Sequence, residues 1–232
     1  MTAFAEKLKV IEERIAQACI RSGRNRVDIA LMGVSKFHAL DQIEEAWDGG
    51  IRLFGESRVQ EAEEKFVGFK PAHSGTELHM IGSLQRNKVK TAVSLFDCIQ
   101  SVDRESIIGE LGKYAVERKT PLKVLLELHT GEESKAGFPD EESLLRAAEQ
   151  ALAFPGLVLA GLMTMAPYTN DTDLIRRSFR TLVGAQKKLS REFPGSDWSC
   201  LSMGMTNDFE IAIEEGATLL RIGTALFGER QR

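Results

Sequence analysis

Apolar residues at Phe4, Leu8, Ile11, Ile15 and Ala18 are separated by alternating steps of four and three. That spacing puts them on one face of a helix and predicts an amphipathic helix over the first twenty residues, ending near Ser22-Gly23. A different rhythm follows. Short runs rich in β-branched or large aliphatic residues recur at Ile29–Ser35, Ile51–Gly55, Glu77–Gly82, Cys98–Val102, Lys123–His129, Leu157–Met165, Trp198–Met203 and Thr218–Ile222. The stretches between them have helical periodicity, beginning near Leu40, Arg58, Gln85, Asp103, Asp140, Asp171 and Asn207. Several of these starts carry Asp or Asn, the residues that cap helices.

Repeated strand–helix units predict an α/β fold with a parallel sheet. Eight of them suit a closed (β/α)8 TIM-like barrel better than the alternative, an open doubly wound sheet. After the eighth run only a few residues remain, ending Gly228-Glu229-Arg230-Gln231-Arg232, so the barrel's last helix should be missing or minimal. The extra N-terminal helix could cover that gap. With no Pro- or Ser-rich linker, residues 1–232 read as a single domain.

Composition narrows the function classes. The chain has 30 Lys and Arg against 34 Asp and Glu, a net charge of −4, and no basic stretch, which argues against an electrostatic grip on nucleic acid or anionic lipid. Cys19, Cys98 and Cys200 are far apart and form no C-x-x-C pair, so they read as reduced, buried cysteines of a cytoplasmic protein. Glu6, Lys7 and Lys9 interrupt any signal-peptide core, and the longest apolar stretch, Gly156 to Pro167, is too short for a membrane span. His38, His73, His79 and His129 are scattered without metal-ligand spacing. A small-molecule role is the expectation.

In β/α barrels the chemistry gathers at the C-terminal ends of the strands. Lys36 stands there after the first strand, where lost solvation would favour a neutral, nucleophilic amine. A lysine whose ammonium reaches water along its stem is the ordinary reading of such a residue taken alone. Ser202, Gly204, Gly223 and Thr224, after strands seven and eight, supply small residues and hydroxyls where backbone amides can approach a phosphate. For each glycine alone, tight-turn geometry is the commoner explanation. Together with Lys36, these positions point to a phosphorylated carbonyl compound held as a Schiff base. Arg221 ends a buried strand and needs an acceptor, either a carboxylate such as Glu210 or Glu229 or a ligand atom. His79, within an apolar run, reads as a core histidine hydrogen-bonded to backbone rather than as a base.

The segments Val34-Ser35-Lys36, Phe54-Gly55-Glu56-Ser57-Arg58-Val59-Gln60-Glu61 and His79-Met80-Ile81-Gly82-Ser83-Leu84-Gln85-Arg86-Asn87-Lys88 resemble the pyridoxal phosphate homeostasis proteins (YggS/PROSC-like). So do Gly161-Leu162-Met163-Thr164-Met165-Ala166-Pro167, Leu201-Ser202-Met203-Gly204-Met205 and Arg221-Ile222-Gly223-Thr224-Ala225-Leu226-Phe227-Gly228. The resemblance covers nearly the whole chain in the family's order and spacing. It implies a barrel of the alanine racemase N-terminal type (fold-type III), with pyridoxal 5′-phosphate as a Schiff base on Lys36. Ser57 and Met163 are implied near the cofactor, its phosphate on Ser202, Gly204, Gly223 and Thr224, and Arg221 facing the pyridine nitrogen. An arginine there disfavours protonation of the ring and makes it a poorer electron sink. Three positions depart from the family's usual pattern: Ser57 replaces an Asn, implying a shorter or water-bridged polar contact, Leu78 replaces an aromatic residue, and Ser83 replaces a residue other than serine.

The function so implied is intracellular pyridoxal phosphate homeostasis: a cytoplasmic carrier that buffers or delivers the cofactor to apo-enzymes, without a dedicated catalytic turnover. With no evident second domain or coiled-coil heptad, a monomer is the expectation. A racemase of this barrel type takes its second base from an added β domain, for which the chain leaves no room. The alternatives are a racemase using Lys36 as its only base, and a Schiff-base aldolase acting on a sugar phosphate.

Overall fold

The computed structural model describes residues 2–131 and 136–229, so the tail Arg230–Arg232 lies outside the described residues. Helix α1 runs Ala3–Ser22, capped by Thr2, whose side chain accepts from the Ala5 amide, and ended by Gly23 in the left-handed region. Alternation then gives β1 (Ala30–Val34), α2 (Leu40–Asp48), β2 (Leu53–Glu56), α3 (Val59–Ala72), β3 (Glu77–Met80), α4 (Val89–Leu95), β4 (Cys98–Val102) and α5 (Glu105–Ala115). It continues with β5 (Leu122–Glu127), α6 (Glu141–Leu152), β6 (Leu157–Met163), α7 (Thr172–Glu192), β7 (Cys200–Ser202), α8 (Phe209–Glu214), β8 (Leu219–Ile222) and α9 (Thr224–Phe227). All eight strands are parallel and in chain order, and β8 closes the barrel on β1 with Ala30 opposite Leu219 and Gly33 opposite Ile222.

The expected strands all form, mostly shorter at one or both ends than the apolar runs that announced them. Of the acidic helix starts, Asp140 caps α6 through the Ser143 amide and Asp171 caps α7 through the Asp173 and Leu174 amides. Asp103 does not cap α5, whose N-cap is Arg104 without a side-chain bond. One register shift between β5 and β6 places Leu125 opposite Gly161 while Val124 sits opposite Leu159. Gly161 has φ +143°, and a Cβ there would stand 1.9 Å from the Cys200 carbonyl oxygen, so this bulge admits only glycine.

The helix after β8 is one short turn, and α1 supplies the missing cover. Phe4 packs on Phe227 of α9 with ring centroids 5.7 Å apart, and Arg14 lies 4.6 Å over the Phe209 ring of α8. Arg21 pairs with Glu214 at 2.8 Å, and Arg24 donates to the Ala217 carbonyl at 2.6 Å. The buried face of α1 includes Phe4, Ile11, Ile15 and Ala18, and Leu8 packs partly buried beside them. Among the described residues no helix is long and apolar enough to cross a membrane.

Candidate functional site

A cavity of about 350 Å³ opens at the C-terminal ends of the strands. Val34 lines it at the end of β1 and Lys36 just after it, Ser57 after β2, and Arg221, Gly223 and Thr224 at the end of β8. The segments Met165–Thr169 and Met205–Asp208, with Ile81 and Ile175, complete the wall. Five expected residues, Lys36, Ser57, Arg221, Gly223 and Thr224, thus share one cavity. Lys36 is half-buried, and the cavity holds it on the same rim as the Gly223–Thr224 turn.

The backbone on both sides of Lys36 is held by a charged cluster. Ser35 Oγ donates to Glu56 Oε1 at 2.7 Å, and Lys65 Nζ donates to the Ser35 carbonyl at 2.9 Å and to Glu56 at 3.2 Å. Lys65 also pairs with Glu61, whose carboxylate accepts from the Phe37 amide. Phe37 has φ +66°, a strained value for a bulky residue, of the kind that persists where surroundings over-determine the chain. Glu56 is fully buried with Oε2 unpaired, and burial pushes its carboxyl up despite Lys65.

Arg221 is only 4% exposed. Its Nη1 donates to Ser202 Oγ and to the Ser202 carbonyl, both at 2.7 Å, and its Nη2 donates to the Thr164 carbonyl at 2.8 Å. Neither carboxylate expected as its structural acceptor takes part: Glu210 pairs instead with Arg14 at 3.2 Å. No carboxylate is needed because β7 beside β8, and the residue that follows β6, present carbonyls and a hydroxyl to the guanidinium. Burial lowers the Arg221 pKa, opposed by the nearby Asp208 and Glu127 charges, yet a guanidinium stays cationic at any relevant pH. The site therefore offers an amine, a fixed cation and, beside them, the Gly223–Thr224 turn that opens α9. This donor set suits an anionic carbonyl compound.

Ser202, Gly204 and Met163 are not among the residues lining this cavity. Ser202 lies fully buried beneath Arg221. Gly204, at φ +93°, carries the carbonyl that accepts from the Arg221 amide at 3.0 Å, and a Cβ on it would stand 2.6 Å from Ala212 Cβ. Met163 packs with Cys98 and Leu125 inside the barrel.

His79 is a core residue, but its partners are side chains rather than backbone: Glu77 at 3.0 Å and Gln100 at 2.7 Å. All three cysteines are free, with Cys19 and Cys98 buried and Cys200 only partly so, because it opens a strand of three residues. Sequence reasoning missed Asp208, which is buried in the cavity wall and accepts from the Met205 amide. Its signal was present, since an Asp just after Met205-Thr206-Asn207 at a strand's C-terminal end reads equally as a helix start. Gln100 was also missed, although a polar residue inside the apolar run Cys98–Val102 invites a partner.

The family profile "Alanine racemase, N-terminal domain" matches residues 10–231. The pyridoxal phosphate homeostasis protein of Aquifex aeolicus is 40% identical over 226 residues, covering 97% of this chain and 98% of the relative. That of Escherichia coli K12 is 36% identical over 236 residues, covering 99% and 98%. The solved structure of PipY from Synechococcus elongatus with pyridoxal phosphate bound superimposes with a TM-score of 0.81 at 34% identity, covering 94% of this chain and 100% of that one. On sequence and fold alike, this chain belongs to the pyridoxal phosphate homeostasis protein family, built on the alanine racemase N-terminal domain.

Proposed function

We propose that this chain binds pyridoxal 5′-phosphate in the cavity between Lys36 and Arg221 and serves its homeostasis inside the cell. The observation that carries the reading is that the Lys36 amine and the buried Arg221 cation line one cavity with Gly223 and Thr224. The residues fit the group. A half-buried primary amine meets an aldehyde, the fixed cation suits a ring nitrogen kept unprotonated, and the first turn of α9 with the Thr224 hydroxyl suits a phosphate. A cavity of about 350 Å³ lies in the range of small-ligand pockets, about 300–1,000 Å³.

Lys36 is assigned to hold the cofactor as a Schiff base, with Ser57 as a polar contact beside it. Ser202 and Gly204 are assigned to the support of Arg221 and of the loop that follows them, and Met163 to the packing below. When bound, the cofactor supplies an electrophilic carbonyl and a ring that withdraws electrons. Arg221, facing that ring, weakens the withdrawal because a ring proton would bring two positive charges together.

The role is holding rather than turnover. The relatives carry a homeostasis name rather than an enzyme's, and His79 is locked in the barrel interior, away from the cavity, where it is not placed as a second base. The carrier is proposed to act in the cytoplasm as a monomer of one domain, passing the cofactor to apo-enzymes.

An absorbance spectrum of the purified protein tests the assignment. A near-ultraviolet or visible band, lost in Lys36→Ala, together with a pyridoxyl mass on the Lys36 peptide after borohydride reduction, is the expected result. A band that survives the substitution overturns it. Turnover of a panel of amino acids on the order of 1 per second or faster would favour the racemase reading.

A further inference from the structure

The interior of a β/α barrel is ordinarily filled by layers of apolar side chains. In this barrel one line through the packing is polar. It starts at Arg221 on β8, passes through Ser202 on β7, Gln100 on β4 and His79 on β3, and ends at Glu77, the first residue of β3. Arg221 Nη1 donates to Ser202 Oγ at 2.7 Å, and Ser202 Oγ donates to Gln100 Oε1 at 2.6 Å. Gln100 Nε2 meets His79 Nδ1 at 2.7 Å, and His79 Nε2 meets Glu77 Oε1 at 3.0 Å. The four inner groups are buried, whereas the Glu77 side chain is 42% exposed at the N-terminal mouth, opposite the cavity, with Lys123 Nζ at 3.6 Å.

The chain has one permitted polarity. A guanidinium only donates, so Ser202 Oγ accepts from it and spends its single hydrogen on Gln100 Oε1. That turns the Gln100 amide nitrogen toward His79 Nδ1, which must then accept. The ring hydrogen therefore sits on Nε2, aimed at Glu77. Glu77 is the right terminus, because the His79 hydrogen bond, with Lys123 beside it, lowers its pKa and keeps it an acceptor. A cation stands at one end, an anion at the other, and every link between them points the same way, the arrangement in which hydrogen bonds reinforce one another.

We propose that Glu77, His79, Gln100 and Ser202 are positioning residues that clamp Arg221 against the cofactor ring, so that a carboxylate at the far mouth of the barrel contributes to the grip on pyridoxal phosphate. The inference rests on the proposed function for the ligand, but the polarity of the chain does not.

The test has two arms. In the first, ¹⁵N spectra of the ligand-free protein locate the His79 ring hydrogen. A single tautomer protonated at Nε2 is expected, and the Nδ1 tautomer, or free exchange between the two, overturns the chain. In the second, pyridoxal phosphate is titrated into wild type, Glu77→Ala, Glu77→Gln and Lys123→Ala. Glu77→Ala should bind about fivefold more weakly, the worth of one hydrogen bond of about 1 kcal/mol. Glu77→Gln, whose amide oxygen still accepts from Nε2, should recover most of that loss, and Lys123→Ala should stay within about twofold of wild type. A folded Glu77→Ala that binds like wild type, or a Gln variant as weak as the Ala variant, overturns the proposal. Gln100→Leu breaks the line at its centre and should weaken binding further, but the exposed position of Glu77 keeps the test decisive if the buried substitution prevents folding. Wild-type protein that takes up no pyridoxal phosphate defeats the proposed function instead, and the tautomer then decides the chain on its own.

Discussion

Ser35 Oγ donates to Glu56 Oε1 at 2.7 Å, which places a fully buried carboxylate directly behind the peptide that carries Lys36. Lys65 completes the arrangement by bridging Glu56, Glu61 and the Ser35 carbonyl. Two acids and one base, nearly out of solvent, fix the backbone from Ser35 to Phe37, so the orientation of the reactive amine depends on groups that do not line its cavity.

Lys65→Met should destabilise the protein by about 3 kcal/mol, since removing one member of a buried ion pair leaves the other uncompensated. The loss should shrink at acid pH as Glu56, whose pKa burial already raises, takes up a proton. Urea unfolding at pH 5 and pH 8 checks both statements. A loss equal at the two pH values would detach the effect from the carboxylates.

Glu127, buried at the end of β5, has its pKa pushed up to about 7, chiefly by burial and then by Asp103, against the pull of Arg221. Its folded pKa lies above its unfolded one, so its contribution to stability is complete below about pH 4.5 and fades as pH rises through about 7. Glu127→Gln should therefore be more stable than wild type at pH 8, by on the order of 3 kcal/mol, and close to it at pH 4.5. Unfolding curves across that window, showing no narrowing of the difference toward acid, would contradict the burial of this carboxyl.

Gly204→Ala should cost about 2–4 kcal/mol, because the new Cβ meets Ala212 at 2.6 Å and φ is +93°. The same change displaces the carbonyl that receives the Arg221 amide, so pyridoxal phosphate uptake should fall with stability. Thermal melts and a cofactor titration on one preparation report both.

Burial holds the Cys98 thiol well above its usual pKa and raises that of Cys200 to about 11. Iodoacetamide at pH 8 should therefore modify neither at an appreciable rate in the folded protein, and both promptly in urea. Intact-mass spectra over time follow the reaction, and rapid labelling of Cys98 without denaturant would refute it.

The barrel was legible because each strand announces itself locally. The apolar runs around Ala30–Val34 and Leu219–Ile222 are bounded by turn residues, and the positions just past their ends, Lys36 and Gly223-Thr224, fall on the cavity once the barrel closes. The partners of Arg221 and His79 were not legible. Ser202 and Gln100 are 102 residues apart, and whether they touch depends on strand stagger around the whole barrel, which no local pattern encodes. Asp208 went unseen for a different reason: an acidic residue before a helix has an ordinary explanation, and only its burial in the cavity wall reveals the second one.

The join between β1 and β8, roofed by α1, ties the first and last parts of the chain together. During synthesis the free edge of β1 has no partner until β8 has left the ribosome, about 190 residues later, and the apolar stripe of α1 waits almost as long for α8 and α9. Sealing the ring is then among the longest-range events in folding, the class of contact that forms slowly and leaves strand edges open to association with other chains. Nascent protein stalled before residue 219 should be the form most in need of a chaperone.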